Sequence, residues 1–400
     1  MNNAALVNLD ILGPAAPTGS ELGRIAGAAL HLPPVEIGFA NAAPIQVPLF
    51  NMTTGGLWRV TGTARMGGSE VPGKSVPFSV VVKSIQSPAL WSGIWQVPDH
   101  FRESLVRNYP WRTEAQVYAS DLANNMPDGG RLPEVFAINE LDDQRVAIWL
   151  EDVTQSPDDG WTDDVFCQAA ALLGRLAGSG AVRQSGPALS IEKDAERLRY
   201  FLDSVGSLIY IPSLRGDELW QVPAVAEGAS AELIAGLRSL TDRAHQLVDE
   251  ILELPTFPAH GDASPQNLLI ETREASVGEP GASPRFVVID WGAYGAACAG
   301  FDLGQLLSGL VNNGLMSGEE LYRLEPLCFH AYCDGLAESG ADVRESAVLR
   351  GHAMTMALFT GLSAVPSQRL GEPDSEELRV FMAGRIVMAR FVLDLLASTD

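Results

Sequence analysis

The chain has 400 residues, 46% hydrophobic and 19% charged, which is enough to bury a core and excludes a disordered or collagen-like chain. Its 27 Lys and Arg against 50 Asp and Glu give a net charge of −23. This acidity argues against nucleic acid or an anionic membrane as the main partner, and it suits a cationic small molecule.

The cysteines and the N-terminal segment indicate the cellular setting. No C-x-x-C motif and no zinc-finger spacing is formed by the four cysteines, which are Cys167, Cys298, Cys328 and Cys333. Sparse cysteines of this kind indicate a reducing compartment. No basic segment precedes the first apolar residues, and no apolar run is long enough for a bilayer. We therefore expect a cytoplasmic protein with no membrane partner, and the oligomeric state is left open.

Residues 1–48 are predicted to form an extension or cap that contains one short helix, at about Gly19–Leu30, followed by Pro-rich chain. Residues 49–153 are predicted to form a first lobe of five mostly antiparallel strands. Thr53–Gly56 is predicted to be a turn between the first two strands. The third strand is expected at about Pro77–Ile85, and the helix inserted after it is opened by Pro110.

Residues 154–400 are predicted to form a second, mostly helical lobe. The expected helices are Asp163–Gly178, Glu192–Val205, Ala231–Leu254, Gly318–Glu338, Val343–Leu362 and Pro373–Ser398. One β-hairpin interrupts them, made of NLLI, a polar loop over Glu271–Pro284, and RFVVID. The fold class is therefore predicted to be α+β, with an antiparallel sheet and one helix in the first lobe.

The most informative segment is HGDASPQNLLI, residues 260–270. His260, Asp262 and Asn267 lie in the loop that opens the first hairpin strand, and Asp290 ends the returning strand. The hairpin can therefore bring Asp262, Asn267 and Asp290 together. Two carboxylates and an amide oxygen are hard ligands of the kind that Mg²⁺ takes while it holds phosphates. One carboxylate can also accept a proton from an attacking hydroxyl group.

The pattern H-G-D-x-x-x-x-N followed by I-D-W-G resembles the catalytic segments of the aminoglycoside phosphotransferase and choline kinase family. These enzymes are small-molecule kinases with a bilobal, protein-kinase-like fold. The resemblance implies that Asp262 is the catalytic base and that Asn267 and Asp290 bind Mg²⁺. It also implies ATP or GTP as the phosphoryl donor, with His260 organising the loop.

The resemblance makes further demands on the first lobe. It implies that Lys83, in VVVKSI, holds the nucleotide phosphates and that Glu114 on the following helix pairs with it. The hinge around Glu151 and Val153 would bind the adenine edge through backbone groups. No G-x-G-x-x-G motif is present, so the turn containing Thr54, Gly55 and Gly56 is predicted to bind the phosphates instead.

Two residues near the catalytic segments are predicted to be structural. Asp302 lies at the start of the helical segment FDLGQLLSGL, where it is expected to act as an N-cap. The family resemblance implies that it also braces the active-site loops. Trp291 is expected to pack behind the metal site. His330 and His352 lie in helical patterns and are interpreted as ordinary core or surface residues.

The first hypothesis is therefore an ATP- or GTP-dependent kinase that phosphorylates a hydroxyl group of a small molecule. The acidic composition favours a cationic acceptor such as an aminoglycoside, an amino sugar or a choline-like amine. Because the family covers them all, macrolides, neutral sugars and metabolite alcohols stay open as acceptors. One alternative is a nucleotide-binding module without turnover. Another is a metal-dependent hydrolase that uses His260, Asp262 and Asp290 as ligands, with His330 as a further candidate.

Overall fold

The structure, a computed structural model, describes residues 5–46, 52–65, 75–155, 160–189, 191–271 and 285–399. The strands in these ranges are β1 (Ala5–Val7), β2 (Glu36–Pro44), β3 (Thr54–Arg65), β4 (Ser75–Gln86), β5 (Gly130–Arg131), β6 (Val135–Asp142), β7 (Arg145–Glu151), β8 (Thr256–Ala259), β9 (Leu268–Ile270), β10 (Phe286–Val288) and β11 (Gly295–Cys298). The helices are α1 (Gly19–Ala29), α2 (Asp99–Asn108), α3 (Thr113–Ala119), α4 (Asp163–Gly178), α5 (Gly180–Ser185), α6 (Ile191–Phe201), α7 (Ile211–Arg215), α8 (Glu218–Gln221), α9 (Pro223–Ala226), α10 (Ala231–Leu252), α11 (Phe301–Asn312), α12 (Glu320–Glu338), α13 (Glu345–Met356) and α14 (Glu376–Ala397).

The chain divides into two compact units. The N-terminal unit comprises the described residues up to Ser120 together with Leu132–Thr154. The C-terminal unit comprises Asp121–Arg131 and the described residues from Gln155 onward. The first contains an antiparallel sheet and the second is mostly helical, so the predicted α+β class is confirmed.

The sheet of the N-terminal unit has the strand order β1-β2-β3-β4-β7-β6. Its strand pairs are antiparallel except β1 and β2, which run parallel. Strand β2 lies inside residues 1–48, where Pro-rich chain was predicted to follow the short helix, so that part of the prediction is wrong. The prolines of this segment indicated a loop. Pro44 is nevertheless compatible with a strand because it is the last residue of β2, where a missing N–H costs little.

One face of the sheet is covered by the segment that contains α1. This helix begins after Thr18, whose side chain forms a capping box with Glu21, close to the predicted start. The apolar core beneath it includes Leu22 and Ile25 of α1 and Val80 and Val82 of β4. Side chains alternate along a strand, so the intervening residues of β4 lie on the opposite face. We call this opposite face the open face of the sheet.

The predicted turn at Thr53–Gly56 is also wrong, because Thr54 already begins β3. The connection from β2 therefore falls within residues 45–53, of which 47–51 lie outside the described residues. Gly56 lies within the strand, and the Trp58 ring occupies the space that a side chain would need there: a Cβ would stand 2.0 Å from the ring. A bulge also interrupts the β3–β4 pairing next to Gly55. Such glycines resemble a turn in sequence, although packing and the bulge explain them.

The C-terminal unit contains the predicted hairpin. Strands β9 and β10 pair antiparallel, and β5 joins β10 in parallel. Residues 272–284 of its predicted loop lie outside the described residues. A further antiparallel pair, β8 and β11, was not predicted, since their sequences TFPA and GAAC lack the usual β-branched residues.

The predicted helices of the C-terminal unit are present with small shifts at their ends. Helix α4 has the predicted bounds, Asp163–Gly178. Helices α6 and α13 continue into π-helical segments at Leu202–Tyr210 and Ala357–Gly361. Among the described residues, no helix combines the length and the apolar character needed to span a bilayer.

Candidate functional site

A buried ion pair lies on the open face in the N-terminal unit. Lys83 of β4 stands opposite Ile148 of β7, and its Nζ lies 2.6 Å from Oε2 of Glu114 in the first turn of α3. The two side chains are 9% and 4% exposed. A buried charge is tolerated only with a partner, so this pair fixes the Lys83 ammonium group in one position. The structure thus brings together the two residues that sequence analysis paired.

Of the predicted hinge residues, Glu151 ends β7 and Val153 lies two residues further along the chain. The Glu151 N–H donates to the Glu134 carbonyl at 2.9 Å, and its carboxylate accepts the Glu134 N–H at 3.0 Å. This N–H is therefore committed to the protein backbone. Contacts of these residues with a nucleotide base remain a prediction, as do phosphate contacts of Thr54, Gly55 and Gly56.

The loop that carries Asp262 begins with a glycine that no other residue could replace without strain. Gly261 has φ +87°, in the left-handed region. A Cβ at this position would stand 2.1 Å from the carbonyl oxygen of Ala293. Both the backbone conformation and the close approach therefore require glycine. The consequence is that the Asp262 loop packs directly against the segment that follows Asp290.

His260 joins this loop to the end of β10. Its Nε2 lies 2.9 Å from the Ile289 carbonyl oxygen, and its Nδ1 lies 3.3 Å from the Asp262 amide nitrogen. A carbonyl can only accept and an amide N–H can only donate, so Nε2 carries the proton. Complete burial lowers the pKa of His260, which keeps the ring neutral. His260 is thus the loop organiser that was predicted.

These two contacts argue against the hydrolase alternative. A histidine that binds a metal must offer one ring nitrogen as a ligand. In His260, one nitrogen donates to Ile289 and the other accepts from Asp262. The protonated Nε2 has no lone pair for a metal ion, and the lone pair of Nδ1 already accepts the Asp262 N–H.

Asp302 stabilises the Asp262 loop through hydrogen bonds to its backbone. It is the second residue of α11, and Gly300 takes the N-cap position instead, so the N-cap prediction is wrong. Its two carboxylate oxygens accept the N–H groups of His260 and Gly261, each at 2.9 Å. Burial raises the pKa of Asp302, and the two N–H donors oppose this shift. Because these two donors satisfy the carboxylate, its role is to brace the loop, as predicted.

Asn267 and Asp290 lie at the same end of the β9–β10 hairpin. The Asn267 side-chain amide donates to the Asp262 backbone carbonyl at 2.8 Å. The backbone carbonyl of Asn267 accepts the Ile289 N–H at 3.0 Å. Asp290 follows at once with φ 60° and ψ 58°, a left-handed conformation that is uncommon outside glycine. Because strained backbone clusters at functional sites, this geometry favours a functional role for Asp290.

Trp291 packs behind this end of the hairpin. Its Nε1 donates to the Val288 carbonyl at 2.9 Å, and its ring meets the His260 ring edge-on at 4.6 Å between centroids. The Trp291 side chain is fully buried. Trp291 therefore packs at this end of the hairpin, as predicted, whereas a metal site in front of it stays a prediction.

The donor chemistry of Asn267 and Asp290 fits a divalent metal ion. An amide nitrogen only donates hydrogen bonds, as Asn267 does to Asp262, so the side-chain oxygen is the atom that can serve as a ligand. Among the described residues, no group of three or more His, Cys, Asp or Glu could hold a metal. One amide and one carboxylate suit an ion such as Mg²⁺, which usually keeps water and phosphate oxygens as its other ligands.

Two arginines were not predicted from the sequence, one beside the predicted hinge and one beside the Asp262 loop. Arg59 of β3 binds both carboxylate oxygens of Asp152, with Nε 2.8 Å and Nη2 3.0 Å away. Arg197 of α6 donates from Nη2 to the Ala293 carbonyl at 3.3 Å, the same oxygen that lies against Gly261. For Asp152, its position next to the predicted hinge was an available signal. Arg197 has no comparable signal in the sequence.

No protein-family model matches the chain, and no curated protein matches it in sequence. Solved structures that resemble it include a microcompartment-associated aminopropanol kinase, 14% identical, with a TM-score of 0.49 over 90% of this chain and 93% of that one. A spectinomycin phosphotransferase in complex with ADP and spectinomycin is 12% identical, with a TM-score of 0.46 over 91% and 94%. An ethanolamine kinase from Plasmodium vivax is 14% identical, with a TM-score of 0.43 over 90% and 83%. Identities this low leave the function to be argued from the site geometry.

Proposed function

We propose that the protein is a kinase that transfers the γ-phosphoryl group of ATP or GTP to a hydroxyl group of a small molecule. The observation that carries this proposal is the pair of hydrogen bonds that ties Asn267 to the Asp262 carbonyl and Ile289 to Asn267. Together they hold a candidate base and two candidate metal ligands at one end of a hairpin. The buried pair of Lys83 and Glu114 adds a fixed cation of the kind that contacts phosphates.

The proposed chemistry places Asp262 as the base. Its carboxylate accepts the hydrogen bond of the acceptor hydroxyl, which aims the oxygen at the γ-phosphorus. As the new O–P bond forms and the bond to the bridging oxygen breaks, the hydroxyl proton passes to Asp262 and the nucleoside diphosphate leaves. A divalent ion held by Asn267 and Asp290 would neutralise phosphate charge when bound.

Lys83 is proposed to contact the α- and β-phosphates, and Glu114 to keep it in place. Backbone groups of Thr54, Gly55 and Gly56 are proposed as further phosphate contacts. Because the Glu151 N–H is committed to Glu134, contact with the base edge falls to the Glu151 carbonyl and to Val153.

The acceptor is proposed to be a cationic alcohol, such as an amino sugar, an aminoglycoside or a choline-like amine. The supporting observation is the net charge of −23, which raises the local concentration of cations around the protein. The same charge repels polyanions, so a nucleic acid acceptor is not proposed.

A nucleotide-consumption assay tests the proposal. Purified protein with Mg²⁺ and ATP or GTP is offered aminoglycosides, amino sugars, choline analogues and neutral sugars. Asp262→Asn should lower kcat by about 100-fold or more, because it removes the proton acceptor while keeping the shape. The KM for the nucleotide should stay near the wild-type value.

Asp342→Asn is the matched control, since Asp342 is exposed in a loop before α13. It should turn over at the wild-type rate. Normal turnover by Asp262→Asn would exclude Asp262 as the base. Nucleotide binding by the wild type without turnover of any acceptor would favour the non-catalytic alternative.

A further inference from the structure

A second ion pair lies on the open face of the sheet, and the proposed function does not use it. Arg59 contacts Asp152 with Nε and Nη2, one nitrogen to each carboxylate oxygen, at 2.8 and 3.0 Å. The Ser79 hydroxyl donates to the same carboxylate at 2.5 Å. These hydrogen bonds fix the plane of the guanidinium group, because two parallel bonds leave it no rotation.

The strand register places this cluster on the same face as Lys83. Arg59 stands opposite Val81, and Leu57 stands opposite Lys83. Residues directly opposite each other share a face, and residues two apart on one strand share it too. Ser79 and Lys83 are four residues apart on β4, which is about 13 Å along the strand.

The surface between the two ion pairs is apolar. Leu57 and Val81 are half-buried there, and Leu150 beside them is 6% exposed. Reading along β4, a fixed ammonium group is followed by an apolar strip and then by a fixed guanidinium group. This order matches a nucleotide, whose phosphates bind a cation and whose flat base needs an apolar or stacking surface.

Arg59 has the exposure that stacking requires. Its side chain is 50% exposed, although one edge of the guanidinium group is held by Asp152. The edge is therefore occupied, while about half of the side chain as a whole remains accessible. Planar guanidinium groups stack on aromatic rings, including nucleic acid bases, in a way that an ammonium group cannot.

We propose that Arg59 stacks on the purine base of the nucleotide and that Asp152 and Ser79 are positioning residues that hold its guanidinium plane. This inference rests on the proposed function, because it takes the phosphates to be at Lys83. Oδ2 of Asp152 already accepts two hydrogen bonds and Oδ1 accepts one. Its carboxylate is thus committed to Arg59 and Ser79, and the cluster contacts the base through its face and does not distinguish adenine from guanine.

The test compares the affinities of ATP, GTP and inorganic tripolyphosphate, each with Mg²⁺, by isothermal titration calorimetry. Arg59→Met keeps the length of the side chain and removes the planar cation. Arg59→Lys keeps the charge and removes only the plane. Both variants should bind ATP and GTP about 10-fold more weakly than the wild type, by the same factor for each nucleotide. Tripolyphosphate, which has no base, should keep its affinity within about twofold.

Arg65→Met is the matched control, because Arg65 ends the same strand and is 52% exposed. It should bind all three ligands as the wild type does. Thermal unfolding of each variant checks that the sheet is intact, and Arg59→Lys keeps the test valid if Arg59→Met fails to fold.

Three results would overturn the inference. Wild-type nucleotide affinity in both Arg59 variants would show that no stacking occurs. Equal weakening of ATP and tripolyphosphate, or rescue by Arg59→Lys, would show that only the charge matters. A wild type that binds neither nucleotide nor tripolyphosphate would overturn the proposed function as well, whereas the first two results leave that function standing.

Discussion

Individual residues decide the shape of the loop that carries Asp262. Gly261 takes a left-handed conformation against the Ala293 carbonyl, and Asp302 receives the N–H groups of His260 and Gly261. These contacts are made by backbone atoms and by side chains distant in sequence. The position of Asp262 is therefore set by its neighbours, and changes that leave Asp262 itself untouched should still affect activity.

Gly261→Ala tests this dependence. The new Cβ must adopt a strained backbone and displace a carbonyl oxygen, so we expect a loss of about 2–3 kcal/mol in the free energy of unfolding. Turnover should fall by about 100-fold because Asp262 is displaced. Urea unfolding and steady-state kinetics measure the two effects.

Gly340→Ala is the matched control for strain alone. Gly340 has φ +81°, but nothing lies within 4 Å of the place where its Cβ would stand. It should cost about 1 kcal/mol and leave the kinetics unchanged. An equal loss of turnover in both variants would mean that the contact with Ala293 does not position the loop.

At the scale of helices and strands, a buried ion pair joins one element to another. The contact between β4 and α3 is the Lys83–Glu114 ion pair, in which both side chains are less than 10% exposed. In contrast, both side chains of the Glu103–Arg107 pair on α2 are exposed to solvent. Buried pairs are costly to break because the remaining charge loses its partner, whereas exposed pairs contribute little.

Glu114→Gln should therefore destabilise the protein by about 3 kcal/mol and raise the KM for ATP. The double variant Lys83→Met with Glu114→Gln should recover part of the stability, because no unpaired charge remains, without recovering ATP affinity. Glu103→Gln serves as the exposed control and should change neither quantity by more than experimental error. If the double variant bound ATP normally, Lys83 would not be a phosphate contact.

On the scale of the whole molecule, two fully buried histidines lie in the described part of the chain, and both are disfavoured in the charged state. Burial lowers the pKa of His352 to about 4 and also lowers that of His260. In the unfolded chain, a histidine takes up its proton near pH 6.5. Between these values His352 binds more protons in the unfolded state than in the folded state, so this residue lowers the free energy of unfolding as the pH falls from 6.5 toward 4.

We expect His352 alone to account for about 2 kcal/mol of lost stability between pH 7 and pH 5. Urea unfolding at both pH values measures this loss in the wild type and in His352→Gln, and the difference between the two losses isolates the residue. This subtraction is needed because the pKa of the neighbouring Glu325, raised by burial, changes stability in the opposite sense. Identical losses in His352→Gln and the wild type would contradict the prediction.

Local pattern predicted much of the fold. The helix over Asp163–Gly178, the hairpin before Asp290 and the strand that carries Lys83 follow from periodicity and end signals, which depend on residues close together in the chain. Strand β2 and the start of β3 were missed, because prolines and glycines usually mark loops. Here Pro44 ends a strand, and Gly56 leaves room for the Trp58 ring.

By itself, the sequence determined the α+β class, the order of the motifs and the residue types at the candidate site. Only the tertiary structure decided which of those residues meet. It shows that Asp302 accepts hydrogen bonds from the Asp262 loop and that both ring nitrogens of His260 are engaged. It also shows an ion pair between Arg59 and Asp152, which lie 93 residues apart in the chain. The physical reason is that propensity and capping act between near neighbours, whereas strand register and burial bring distant charges together.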